Sequence, residues 1–159
     1  MTQNATPPFI ASLPGHLVRR LQQIAVAAFY EQTADWDVTP IQFAALQTVS
    51  ENPLIDQRTL AGAIALDAST TGGVVDRLEK RGLVRRSPAK EDRRVKQLRA
   101  TARGMRLLAT LRPYVQRAQE RIIAPLTPRQ AREFIHLMEI LVRENNLLSR
   151  APLESDKTP

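Results

Sequence analysis

Apolar residues recur along the chain in blocks of helical spacing, most of them opened by a capping signature. From Pro14, residues Leu17, Leu21, Ile24 and Ala28 share one stripe, with Val18, Ala25 and Phe29 beside it. That band is too wide for a lone surface helix. Thr39-Pro40-Ile41-Gln42 combines an N-cap, a proline at the first helical position and a glutamine at the third, a capping-box start for a helix carrying Phe43, Leu46 and Val49 and ended by Asn52-Pro53. Asp56 caps a short helix from Gln57 to Ile64, and Ala65 to Ala68 make a tight connection. Ser69 is then the expected N-cap of a helix with Val74, Val75 and Leu78 on its apolar face and Gly82 as its stop. After Gly82 the period changes from helical to alternating through Leu83, Val84 and Arg85-Arg86, followed by a polar tip from Ser87 to Arg94 and then Val95, Gln97 and Leu98, which predicts a β-hairpin. Thr101 caps a long helix with Met105, Leu108, Leu111, Val115 and Ile122, in which Pro113 should produce a bend. Thr127-Pro128-Arg129-Gln130 repeats the capping signature ahead of Phe134, Leu137, Met138, Leu141 and Leu148. The polar, proline-containing ends, 1–8 and 149–159, read as tails.

Two short helices joined by about four residues form a helix-turn-helix, whose second helix brings its N-terminal residues to base edges in the major groove. Ser69, Thr70 and Thr71 stand there. A hairpin that follows such a helix is a wing. Charge supports this reading, because residues 77–103 hold 11 basic side chains against three acids, while the 159-residue chain as a whole carries only +7. So local an excess is an electrostatic footprint for phosphates. Arg77 belongs to the recognition helix, Arg85 and Arg86 suit the phosphate backbone, and Arg93 and Arg94 at the tip suit the electronegative minor groove. Asp92 is expected to hold a following arginine through a carboxylate–guanidinium pair. Gly72-Gly73 in mid-helix costs on the order of 1 kcal/mol per glycine relative to alanine. The pair implies close backbone approach, either to DNA or to a neighbouring helix.

Other chemistries find little support. There is no cysteine for a disulfide, a thiol nucleophile or a redox switch. His16 and His136 are the only histidines, and Glu133 and Glu139 flank His136 at the spacing of ordinary surface helix charges, so no metal set is expected. No glycine loop between a strand and a helix suggests nucleotide binding, and no triad suggests nucleophilic catalysis, so the chain is read as a non-enzyme without a cofactor. No run approaches the ~20 apolar residues of a membrane span, and the first residues lack the basic and apolar regions of a signal peptide, which leads to an expectation of cytoplasmic residence without a membrane partner.

The run DRLEKRGLVRR, the wing sequence EDRR and Thr101-Ala102-Arg103-Gly104 resemble the multiple-antibiotic-resistance regulator (MarR) family of winged-helix transcription factors. The resemblance covers roughly residues 13 to 148 and is densest from Leu66 to Gly104. It implies a mainly α fold with a small β-hairpin wing, in which a winged helix-turn-helix over 37–104 lies between dimerisation helices over 9–36 and 105–148. It further implies an obligate homodimer on a palindromic double-stranded DNA operator and, often, a small phenolic or aromatic-acid effector. Gly72-Gly73 departs from the family, which usually carries polar or basic side chains at those positions.

PGHLVRR and DASTTGGVVDRLE are similar to segments of the family's regulators of aromatic-acid catabolism. An effector such as a hydroxybenzoate, hydroxycinnamate or hydroxynicotinate is therefore expected. His16, Arg19 and Arg20 are the candidates to grip its carboxylate and hydroxyl groups, and Trp36, Phe43 and Leu46 to wall its ring. The function expected is a ligand-responsive regulator, most simply a repressor. An effector-independent DNA-binding protein of the same fold is the alternative. A module for anionic membrane surfaces is disfavoured because the charge gathers on a hairpin and not along an amphipathic helix.

Overall fold

Side-chain caps set where most of the helices begin. The computed structural model describes residues 9–89, 91, 92, 94–149, 151 and 152. A short 3-10 turn, Phe9–Ser12, leads into α1, Pro14–Gln32. Thr39 and Gln42 form the reciprocal capping box that opens α2, Pro40–Glu51, each backbone N–H donating to the other side chain over 3.2 Å. The same pair of residue types, Thr127 and Gln130, opens α6, Pro128–Glu144. Asp56 caps α3, Gln57–Ala63, by accepting from the N–H groups of Arg58 and Thr59 and from the Thr59 hydroxyl. Partial burial pushes the Asp56 carboxyl up, but those hydrogen bonds outweigh burial and hold its pKa below the ordinary 3.8.

One boundary differs from expectation. The recognition helix α4 is Ala68–Lys80, and its N-cap is Asp67, not Ser69. The Asp67 carboxylate accepts from both the Thr70 N–H and the Thr70 hydroxyl at 2.8 Å. A charged acceptor taking two donors at the positive end of the helix outcompetes a serine hydroxyl two residues later. Ser69 thereby enters the first helical turn.

The turn between α3 and α4 is closed by Ala65 in the left-handed region, φ +52°, with Leu66 N–H donating to Ala61 O and Ala65 N–H to Gly62 O. Gly82, φ +67°, ends α4 with the same two-bond pattern, Leu83 N–H to Leu78 O and Gly82 N–H to Glu79 O. The chain then enters a two-stranded antiparallel hairpin, β1 Val84–Pro88 and β2 Lys96–Ala100, in the register Val84 to Ala100, Arg86 to Leu98 and Pro88 to Lys96. Leu54 N–H donates to Leu98 O and Leu98 N–H to Ile55 O, which ties the middle of β2 to the segment before α3.

Gly104 explains how the hairpin joins α5, Ala102–Ile123. A Cβ there would sit 2.2 Å from the Leu83 carbonyl oxygen, so only glycine lets the helix start beneath the hairpin. The Thr101 hydroxyl bonds Gly82 O at 2.7 Å and accepts from Gly104 N–H, locking the same junction. α5 continues through Pro113 without interruption. The core of the winged unit is Leu46, Leu60, Val75, Leu78, Leu83, Val84, Leu98 and Leu108, and a second cluster, Phe29, Val38 and Leu111, joins it to α1. α1 packs along α5, whereas α6 buries no residue and leaves Leu137 and Leu141 51% and 60% exposed.

Candidate nucleic-acid interface and the cavity behind it

The first turn of α4 exposes Ser69 and Thr70 to solvent. Thr71, expected beside them, turns inward: it is 0% exposed and its hydroxyl donates to Asp67 O at 2.9 Å. Arg77 lies exposed two turns beyond Ser69, without an ion-pair partner among the described residues. Gly72 packs near Gln57, whose Nε2 would lie 3.3 Å from an added Cβ, while a Cβ on Gly73 would meet nothing within 4 Å. Internal packing therefore does not require glycine at position 73.

The hairpin sorts its arginines by the two-residue period of a strand. Val84 points into the core and Arg85 out, so Arg86 points in. Arg86 is 23% exposed at its side chain and its Nη1 lies 2.6 Å from Asp76 and 3.0 Å from Glu79, both on α4. Its backbone N–H also donates to Glu79 Oε1 at 3.1 Å, and Nη2 reaches Gln57 Oε1 on α3 at 3.4 Å. The expected phosphate ligand is thus the clamp that holds the wing to both helices of the helix-turn-helix. Arg85 faces solvent opposite Arg99, a cross-strand pair of like charges. At the tip, Asp92 accepts from the backbone N–H of Arg94 at 2.9 Å, and its own carbonyl accepts from Val95 N–H. Among the described residues it orders the turn through the main chain and not through a guanidinium. The Arg94 side chain is exposed, and Arg93 lies outside the described residues.

Beside α4 is a cavity of about 600 Å³ bounded by three elements. Gln22, Val26 and Tyr30 recur every fourth residue on α1 and form one wall, and Ser69, Gly73 and Arg77 recur at the same interval on α4 and form another. Thr39, Pro40 and Ile41 at the start of α2 close one side. Apolar walls and a few convergent phenol, amide, hydroxyl and guanidinium groups in this size range are what a small polar aromatic molecule needs. The α1 wall is not anticipated from the sequence. Its only signal there is the four-residue interval of Gln22, Val26 and Tyr30, a mixed stripe beside the apolar one.

The residues expected to form an effector site do not come together within one chain. His16 and Arg20 border an apolar groove of about 550 Å³ with Leu17, Leu21, Ile24, Ile122 and Phe134, and Arg19 lies with Nη2 3.5 Å from His16 Nδ1. Trp36, Phe43 and Leu46 lie toward the other end of α1, where Phe43 packs against Phe29, roughly 14 Å along the helix from Arg20 at 1.5 Å per residue. Trp36 packs on Tyr114 at 4.5 Å between ring centroids with the rings tilted by 58°, Phe43 contacts Phe29 at 6.2 Å, and Leu46 is 1% exposed in the core. Leu46 belongs to the core, and Trp36 and Phe43 pack half-buried against it. Among the described residues no His, Cys, Asp and Glu cluster is placed to hold a metal, and no helix is long and apolar enough to cross a membrane.

The MarR family pattern matches residues 38–96, from the residue before the α2 cap to the first residue of β2. The transcriptional repressor NicR of Pseudomonas putida is 31% identical over 137 residues, which span 86% of this chain and 87% of that protein. The structure of the PcaV transcriptional regulator of Streptomyces coelicolor in complex with its natural ligand superposes with a TM-score of 0.79 at 32% identity, covering 87% of this chain and 98% of the other. A structure describing regulation of DNA binding of Bordetella bronchiseptica BpsR by 6-hydroxynicotinic acid gives a TM-score of 0.80 at 27% identity, covering 85% and 96%. NicR and PcaV are transcriptional regulators by name, and the two solved structures superpose on more than four fifths of this chain. The chain belongs to the MarR family of winged-helix transcriptional regulators.

Proposed function

We propose that the protein is a homodimeric repressor of a palindromic operator and that a small hydroxylated aromatic carboxylate releases it by occupying the cavity between α1, α2 and α4. The observation that carries this reading is that Ser69, Thr70 and Arg77 line the cavity and also lie on the helix offered to DNA. On this reading Ser69, Thr70 and Arg77 meet base edges or phosphates, Arg85 meets the backbone, and Arg94 reaches the minor groove. Thr71 and Arg86 act from within. An acid seated in the cavity sets its carboxylate on the Arg77 guanidinium and its hydroxyl against Tyr30 or Gln22, and so withdraws Arg77 from DNA. The names of relatives support the effector class, since BpsR is regulated by 6-hydroxynicotinic acid and NicR is a repressor. The groove beside His16 and Arg20 is assigned to dimer contact, because it is continuous with the uncovered apolar faces of α1 and α6.

Release requires that the acid bind the DNA-free form better, and a tenfold preference corresponds to about 1.4 kcal/mol. Operator fragments selected from random DNA, titrated with 4-hydroxybenzoate, 4-hydroxycinnamate and 6-hydroxynicotinate while binding is followed by fluorescence anisotropy, test it. At least one acid should dissociate the complex, and Tyr30→Phe should weaken the response. Operator binding that no acid disturbs rejects the effector part and leaves the effector-independent regulator.

A further inference from the structure

Among the glycines whose surroundings the structure defines, Gly73 is the one in mid-helix with neither a steric nor a conformational reason to be glycine. Gly82 needs its positive φ, and Gly104 needs its bare Cα beneath the Leu83 carbonyl. Gly72 is crowded by the Gln57 amide. At Gly73 the backbone is ordinary helix and an added Cβ meets no atom within 4 Å. A glycine at the sixth position of a 13-residue helix weakens that helix. The space that a side chain here would enter belongs to the cavity beside α4.

Position 73 is also the middle of its wall. Ser69 and Arg77 stand one turn to either side, and across the cavity Val26 stands midway between Gln22 and Tyr30. Each wall thus carries polar residues at its ends and its apolar or smallest residue, Val26 or Gly73, at its waist. We infer that Gly73 is the specificity-determining residue of this cavity, its missing side chain opening the waist so that the ring of an aromatic acid lies flat between Val26 and the α4 backbone while its polar ends reach Arg77 and Tyr30. This rests on the effector reading above. It adds that the width at residue 73 sets which acids are accepted: an alanine narrows the cavity against the longer or broader acids first, and a leucine fills it.

The test uses the full-length chain without DNA, so that any part Gly73 plays against the operator does not enter. Binding of 4-hydroxybenzoate, 6-hydroxynicotinate and 4-hydroxycinnamate to wild type, Gly73→Ala and Gly73→Leu is measured by calorimetry, alongside thermal melting and operator affinity. Gly73→Leu should lose at least about tenfold in affinity for every acid that the wild type binds. Gly73→Ala should melt no lower than wild type, because it relieves a helical glycine without a clash, and should weaken 4-hydroxycinnamate more than 4-hydroxybenzoate. That change of ratio is something a merely structural role does not produce, and it decides the matter even if the leucine variant folds poorly. Wild-type binding that Gly73→Leu preserves within about twofold overturns the inference and leaves the effector reading standing. Operator affinity lost in Gly73→Ala with the acid affinities unchanged also overturns it, since the glycine then serves DNA approach. A wild type that binds none of the acids fails the effector reading, and this inference falls with it.

Discussion

Replacing Arg86 by methionine separates a residue that touches phosphate from one that positions the wing. The substitution keeps the apolar stem and removes the guanidinium from Asp76 at 2.6 Å and Glu79 at 3.0 Å. Breaking a fully buried pair costs roughly 3–5 kcal/mol, and exposed pairs contribute about 0–1 kcal/mol. Here the arginine side chain is 23% exposed but its partners are 55% and 37% exposed, so water screens the carboxylates left behind. Arg86 Nε is buried with no hydrogen-bond partner, and its removal returns part of the loss. The net destabilisation should be about 1–2 kcal/mol, or roughly 3–6 °C in Tm at fixed protein concentration. Operator affinity should fall because the wing loosens from α4, yet the slope of log affinity against log salt should hold, since Arg86 neutralises no phosphate. Arg85→Met, on the solvent face of the same strand, should leave Tm unchanged and lower that slope by ~0.9 for each phosphate the arginine had neutralised. An Arg86→Met protein with wild-type Tm and a slope reduced by a phosphate's worth would falsify the clamp.

Two further outcomes are expected. Leu141→Glu alters a side chain 60% exposed in the single chain, where a monomer should tolerate it within about 0.5 kcal/mol. If α6 is covered by a second copy, sedimentation should show the dimer lost and operator affinity lost with it, whereas an unchanged dimer refutes that assignment. Asp56→Ala removes the α3 cap and should cost about 1 kcal/mol at neutral pH. Because the folded Asp56 carboxyl titrates below 3.8, its contribution is complete above that value and disappears as pH falls through the lowered folded pKa, so the melting difference between wild type and variant should shrink in acid. A difference that stays constant down to the acid limit of folding contradicts the ionised cap.

Local chemistry is legible in the sequence and packing across elements is not. Thr39 with Gln42, Thr127 with Gln130, Asp56 and Gly82 each act within a few residues of themselves, and the structure uses them where the sequence places them. Ser69 misleads because two good cappers stand two residues apart, and the choice depends on Asp67 gaining the Thr70 hydroxyl as a second donor. Arg86 carries a usable signal. Once Val84 is assigned to the core, strand alternation sends Arg86 to the same face, but the acids that make its burial tolerable are on α4, seven and ten residues upstream. The effector candidates are divided by packing that no local pattern encodes. Trp36, Phe43 and Leu46 suit a ring by residue type, and only the tertiary fold reveals that Leu46 is core and that Trp36 and Phe43 pack half-buried against it, while Gln22, Val26 and Tyr30 become a wall only when α4 lies opposite.

That opposition also constrains how an effector acts on the proposed reading. Ser69, Thr70 and Arg77 border the cavity from the helix that meets DNA, so an acid within reach of Arg77 and an operator within reach of Arg77 compete for one guanidinium. Arg77 has no ion-pair partner among the described residues, so neither ligand must first break an internal salt bridge to engage it. The clamp through Arg86 keeps the wing and α4 moving together, which means that an acid displacing α4 displaces Arg85 and Arg94 as well. Linkage then requires reciprocity: the factor by which the acid weakens the operator complex is the factor by which the operator weakens acid binding. A coupling carried by Arg77 alone would vanish in Arg77→Gln, whereas one transmitted by displacement of α4 would persist there and diminish in Arg86→Met.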